Sequence, residues 1–178
     1  MRQSKNFTLE ANILDPVNRR RGYGAVVVRD GMVEKLEITG PEKDNTPYLM
    51  PGFMDAHIHI ESSMLTPPAF ARLAVRHGTV ATVSDPHEIA NVCGIEGVRY
   101  MAKLGKASEF KFFFGAPSCV PATGFETAGA TLTVEEIIQL FEEKSTCYLS
   151  EMMNYPAALA RHPLVLDKIS AAHPYGLP

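Results

Sequence analysis

The chain has 178 residues, of which 46% are hydrophobic and 21% charged, and its formal net charge is −3. That balance belongs to a folded globular chain and excludes a disordered or fibrous one. The mild acidity gives no electrostatic footprint for nucleic acid or an anionic membrane.

The opening residues, Met1-Arg2-Gln3-Ser4-Lys5-Asn6, are polar, and no apolar run of signal-sequence length follows them. No stretch nears the roughly 20 apolar residues that cross a bilayer. From Phe7 to Tyr48 the pattern is one of short β-like runs: Ala11 to Leu14, Gly24 to Val28, and Met32 to Ile38. The basic cluster Arg19-Arg20-Arg21 reads as a solvated loop before the second run. Asp30-Gly31, between the second and third runs, is a strong hairpin signal. Thr39 to Pro47 is rich in Gly, Pro, Asp and Asn and reads as a loop or linker.

From residue 50 onward, strand-like and helical stretches alternate. Pro51 to His57 reads as a strand and Pro68 to His77 as a helix. The β-branched run Thr79 to Ser84 reads as a second strand, followed by a helix at Ile95 to Leu104. Phe110 to Phe114 is a third strand. Thr133, with Glu135 and Glu136 behind it, offers an N-cap and acidic first turn for a helix to about Glu143. Cys147 to Glu151 is a fourth strand candidate, and Pro156 to about Ala172 a fourth helix. Such alternation implies parallel βα units. No GxGxxG or GxxxxGK[ST] phosphate loop occurs, which disfavours a doubly wound sheet and points to part of a barrel. The expected class is α/β: the first half of a TIM-like (β/α)8 barrel in residues 50–178, preceded by part of a small β-sandwich domain in residues 1–49.

Chemistry concentrates in three segments. In Asp55-Ala56-His57-Ile58-His59-Ile60-Glu61-Ser62-Ser63 the alternation of side chains along a strand turns His57 and His59 the same way. Two imidazoles on one face at a strand end can chelate a divalent metal. A bare HxH also arises by coincidence; the preceding Pro-Gly and the trailing Ser62 and Ser63 favour the metal. In Ser84-Asp85-Pro86-His87-Glu88 three ionisable groups gather where the second strand ends. They read either as an Asp-Pro turn opening a helix, or as a substrate-facing loop or additional metal site. Glu151, ending the fourth apolar run, is either an ordinary rim carboxylate or one that bridges two ions about 3.5–4 Å apart. Ser118, after the third strand, can face a substrate. Cys119 beside it lacks an assignable base and is a weak nucleophile. Cys93, Cys119 and Cys147 are far apart and form no CxxC pair, so neither disulfides nor a thiolate zinc site is expected, and a reducing cytoplasm is the simplest location. His59-Ile60-Glu61 matches the HxE of zinc-type base deaminases, but their PCxxC is missing and that fold is rejected.

Taken together, Met50 to Pro67, Ser84 to Val92, Pro117 to Thr123, Glu126 to Ala130 and Glu151 to Pro156 resemble the adenine deaminase family of the amidohydrolase superfamily. The HxH is common to the superfamily. The Glu-Ser-Ser, Ser-Asp-Pro-His-Glu and Glu-Met-Met-Asn pieces are far more specific, and the resemblance runs over nearly the whole chain. It implies hydrolytic deamination of adenine to hypoxanthine and ammonia, a step of purine salvage, by metal-activated hydroxide. It implies two divalent ions, manganese or iron with zinc as the other candidate. His57 and His59 would hold one ion and Glu151 would bridge the pair and shuttle protons. Glu61, Asp85, His87, Glu88 and Ser118 would face the substrate or support the ligands. Full-length members are expected to form homo-oligomers. Family members continue after the fourth helix into a strand bearing Asp-Gly-His-Ala-Pro-Gly, whereas the sequence reaches Pro178 where that strand would begin. His173 belongs to the connection before that strand and is not assigned as a ligand. The chain therefore reads as a truncated member, inactive and poorly soluble alone. Two alternatives stay open: another cyclic-amide amidohydrolase, or a non-catalytic fragment.

Overall fold

A computed structural model describes residues 5–178 and is a mixed α/β structure in two compact units, residues 1–51 and 52–178. The first unit is a four-stranded sheet. Strands β1 (Phe7–Asp15), β2 (Arg20–Arg29) and β3 (Met32–Gly40) are joined antiparallel, and the short β4 (Tyr48–Leu49) adds parallel to β1, giving the order β3-β2-β1-β4. The Asp30-Gly31 hairpin forms as the sequence predicts, with both residues at positive φ. Ile13, Val26 and Val28 bury one face of this sheet.

The linker between β3 and β4 is held by one buried side chain. Asn12, 2% exposed, donates through Nδ2 to the carbonyls of Lys43 at 2.9 Å and Thr46 at 3.2 Å. Its Oδ1 accepts from Lys43 N at 2.9 Å. A buried amide with all three contacts satisfied fixes a loop that has no secondary structure of its own.

The second unit is built on a three-stranded parallel sheet in the order β5-β6-β7, from β5 (Phe53–Ile58), β6 (Thr79–Ser84) and β7 (Lys111–Phe114). Helices α1 (Pro67–Ala74) and α2 (His87–Lys106) connect them, as parallel strands require. Proline at the first position suits α1, since its missing N–H is one that a helix start leaves unused. Helix α2 starts earlier than its apolar periodicity predicts and breaks at Gly94, whose φ of 60° and ψ of −149° suit glycine alone. Helix α3 (Val134–Glu142) carries a full capping box: Thr133 Oγ1 accepts from Glu136 N, and Glu136 returns the bond to Thr133 N. Ile137, Leu140 and Phe141 of α3 pack with Ala90 and Val98 of α2 and with Val120 and Leu132 in one core. Ile60, Met101, Ala102 and Phe114 form a second.

Two expected elements come out differently. Residues 147–151 form no regular strand. They run beside β7 through one parallel bridge, Ala116 to Leu149, with Cys147 N bonded to Phe114 O, Ala116 N to Tyr148 O and Ser150 N to Ala116 O. Pairing stops there because β7 itself ends at Phe114 and the chain departs into the long 115–133 loop. The single helix expected over 156–172 is two, α4 (Tyr155–Leu159) and α5 (Pro163–Ser170). Pro163 pushes His162 to an extended conformation, φ −61° and ψ 129°, and Arg161 before it takes a positive φ of 55°. Among the described residues no helix is long and apolar enough to cross a membrane.

The turn between β1 and β2 contains a carboxylate whose contribution to stability depends on pH. Asp15 is 7% exposed, accepts from Asn18 N at 3.1 Å and Asn18 Nδ2 at 2.8 Å, and pairs with Arg20 at 2.8 Å. The Arg20 bond, then those of Asn18, lower its pKa from 3.8 to about 2. A lowered folded pKa stabilises the fold above the unfolded value and ceases to do so as pH falls through the folded one. Asp15→Asn is therefore expected to be less stable than the parent at pH 7, and the gap should close between pH 3.8 and about 2, as read by urea denaturation across that range.

Candidate metal centre

The register of β5 against β6 builds the site. Ile58 pairs with Ser84, and Asp85 N continues the ladder onto Ile58 O at 3.1 Å. His57 and His59 at the end of β5 thus lie level with Asp85 and His87 at the end of β6. His57 Nε2 and His59 Nε2 are 3.2 Å apart, their rings edge to face. His59 Nδ1 lies 2.8 Å from the Asp85 carbonyl oxygen, which can only accept, so Nδ1 is the donor and the neutral ring has its lone pair on Nε2. Across from them, Glu151 Oε1 lies 3.4 Å from His57 Nε2, 3.5 Å from His59 Nε2 and 3.8 Å from His87 Nδ1.

His59, Asp85, His87 and Glu151 each offer a donor atom within 4.8 Å of the others'. The donor set of imidazole nitrogens and carboxylate oxygens suits a first-row divalent ion. Asp85 fits the same reading: it is 2% exposed, its Oδ2 accepts from His87 Nδ1 at 3.0 Å, and its Oδ1 is buried with no hydrogen-bond partner. A buried carboxylate oxygen without a donor is one that a cation or an ordered water can satisfy. The Asp85 hydrogen bond holds the His87 imidazolium above the ordinary histidine range, although burial works the other way.

The other residues singled out in the sequence divide by position. Glu61 and Glu88 stand behind the cluster. Glu61 Oε1 accepts from Ile89 N at 3.2 Å in the first turn of α2, where the helix dipole favours an anion. Burial raises the Glu61 pKa above its ordinary value, and Glu61 Oε2 lacks a partner. Glu88 accepts from Ser62 Oγ, tying the turn after β5 to the same helix start. Ser118 is buried, and its hydroxyl points to the Glu151 carbonyl at 2.5 Å. Cys119 is buried, with its sulfur 3.2 Å from Met152 Sδ. Lys168, which carries no motif in the sequence, bonds the Ser118 carbonyl from α5.

The amidohydrolase family pattern matches residues 48–177. The chain is 47% identical over 178 residues to adenine deaminase of Parabacteroides distasonis, which is all of the chain and 32% of that protein. It is 59% identical over 143 residues to adenine deaminase of a Sulfurovum species, covering 79% of the chain and 27% of the relative. A Methanosarcina barkeri adenine deaminase is 48% identical over 169 residues, 95% of the chain and 30% of its own length. The chain thus spans less than a third of the length of these curated relatives.

A cluster of this kind predicts ligand-dependent stability. Manganese(II) added in excess should raise the melting temperature in the way a ligand bound only to the folded state does. Glu151→Gln should remove most of that rise and weaken binding by more than the roughly 10- to 100-fold that losing a supporting partner costs a metal site. Scanning fluorimetry against a manganese titration reads both.

Proposed function

Because the chain belongs to the amidohydrolase family, we propose that it forms part of a hydrolase that converts adenine and water to hypoxanthine and ammonia. The observation that carries this reading is Glu151 Oε1 lying within 3.4 to 3.8 Å of nitrogens of His57, His59 and His87, in a chain up to 59% identical to proteins named adenine deaminase. The activity is proposed for the whole protein. With it go the TIM-like barrel begun by β5, β6 and β7, a β-sandwich domain begun by residues 1–49, two divalent ions of manganese or iron, and a role in cytoplasmic purine salvage as a homo-oligomer.

In this reading the Nε2 atoms of His57 and His59, with a Glu151 oxygen, are the metal-holding donors. Bound divalent ions supply Lewis acidity and lower the pKa of a water. The chain's own groups do the rest. His59 is locked in the ligating tautomer by the Asp85 carbonyl. Deamination must deliver a proton to the departing exocyclic nitrogen, and Glu151, facing the cluster, is placed to carry one. His87 Nδ1, hydrogen-bonded to Asp85 Oδ2 at 3.0 Å, stands 3.8 Å from Glu151 Oε1 on the same side of the cluster. Glu61 and Glu88 brace the turn after β5 against the start of α2, which keeps the two histidines in line with Asp85.

The test is release of ammonia and hypoxanthine from adenine by the whole protein loaded with manganese, with dihydroorotate as the comparison substrate. Equal amounts of the two products, and a loss of roughly 10²- to 10⁴-fold in rate on Glu151→Gln, are expected. Hydrolysis of dihydroorotate without ammonia release from adenine would assign a cyclic-amide hydrolase instead.

A further inference from the structure

Glu151 sits at the end of a segment that the sheet holds only through one short parallel bridge. Residues 147–151 share one bridge with the chain after β7, and from Glu151 to Asn154 there is no regular structure. The carboxylate facing three histidines therefore needs its backbone fixed by something other than a strand ladder. Besides the other bonds of that bridge and Leu149 N donating to Pro178 O at 2.7 Å, two contacts lie next to the carboxylate. Ser150 N donates to Ala116 O at 2.9 Å. One residue on, the Glu151 carbonyl accepts from Ser118 Oγ at 2.5 Å.

Ser118 lies in the loop after β7 and is in turn held from outside that loop. Lys168 Nζ on α5 donates to the Ser118 carbonyl at 3.0 Å. The lysine lines a cavity of about 890 Å³ whose walls also include Leu132, Ile138 and Val165. Burial pushes its pKa down, and Cys119 and Glu136 offset this in part. A half-buried amine turned to a backbone carbonyl is costly to place and makes a charge-assisted bond there.

We propose that Lys168 is a positioning residue for the metal centre: through the Ser118 carbonyl and hydroxyl it fixes the backbone at Glu151, and with it the Glu151 carboxylate. The inference rests on the metal reading given under Proposed function. It acts through three bonded steps, from α5 to the 118 loop, from the loop to Glu151 O, and from the Glu151 backbone to its carboxylate. Nothing in it requires Lys168 to touch substrate or ion.

The test compares the protein with its Lys168→Met, Lys168→Arg, Ser118→Ala and double Ser118→Ala/Lys168→Met variants. Manganese affinity is read by electron paramagnetic resonance and backbone protection by hydrogen exchange. Lys168→Met should weaken manganese binding about tenfold, the lower end of what a supporting partner contributes, and speed exchange at residues 116–118 and 149–152. Lys168→Arg should restore both, and the double variant should bind no worse than the worse single one, since both break one path. Unchanged affinity and exchange in Lys168→Met, or additive losses in the double variant, would overturn the proposal. If Lys168→Met does not fold, Lys168→Arg against Ser118→Ala decides: the proposal fails if Ser118→Ala keeps parental affinity. Absence of manganese binding in the unsubstituted protein would instead refute the metal reading, while the exchange data would still decide whether Lys168 holds the Glu151 segment.

Discussion

A carbonyl oxygen can only accept, so the 2.8 Å contact between His59 Nδ1 and the Asp85 carbonyl decides which nitrogen of that ring is free to bind. The same contact joins the ends of β5 and β6, and it exists only because these strands pair parallel with Ile58 opposite Ser84. Shifting the register by one residue would turn His57 and His59 to the opposite face and send Asp85 past them. Tautomer, convergence of the Nε2 atoms and proximity of the Asp85–His87 pair all follow from one strand register.

The second constraint is weaker and lies on the other side of the site. Glu151 completes the cluster, yet no strand places it; the loop after β7 does, by way of Ser118 and Ala116. One half of the centre is thus set by a sheet and the other by a loop braced from α5 through Lys168. Rigid elements position ligands more finely than loops do, so the bonds around Ser118 carry work that a longer fourth strand would otherwise do.

What the sequence reveals and what it hides follows the range of the interactions. The strand period brings out the pairing of His57 with His59 because it is local. Thr133, with Glu135 and Glu136 behind it, predicts a helix start from local residues alone, and the helix begins there. The sequence gathers Asp85 and His87 at the end of the second strand, but which atoms they turn to those histidines is not legible, since it depends on how β6 registers against β5. Lys168 carries no motif; its place is set by the packing of α5 50 residues beyond the loop it braces. Asn12 is similar, a buried amide serving carbonyls 31 and 34 residues away. The break between α4 and α5 was available in Pro163, yet the apolar spacing across 156–172 reads as a single helix, because proline at that point both ends one helix and begins another. The short pairing of residues 147–151 hides for the opposite reason: an apolar run ending in Glu reads as a strand whether or not its neighbour continues far enough to pair with it.

The central claim is that these side chains converge on a divalent ion. Anomalous diffraction from crystals grown with manganese, recorded on both sides of the metal's absorption edge, tests it most directly. The account predicts a manganese peak in contact with His57 Nε2, His59 Nε2 and a Glu151 oxygen. A peak elsewhere, or none among these residues in crystals that contain manganese, would contradict it.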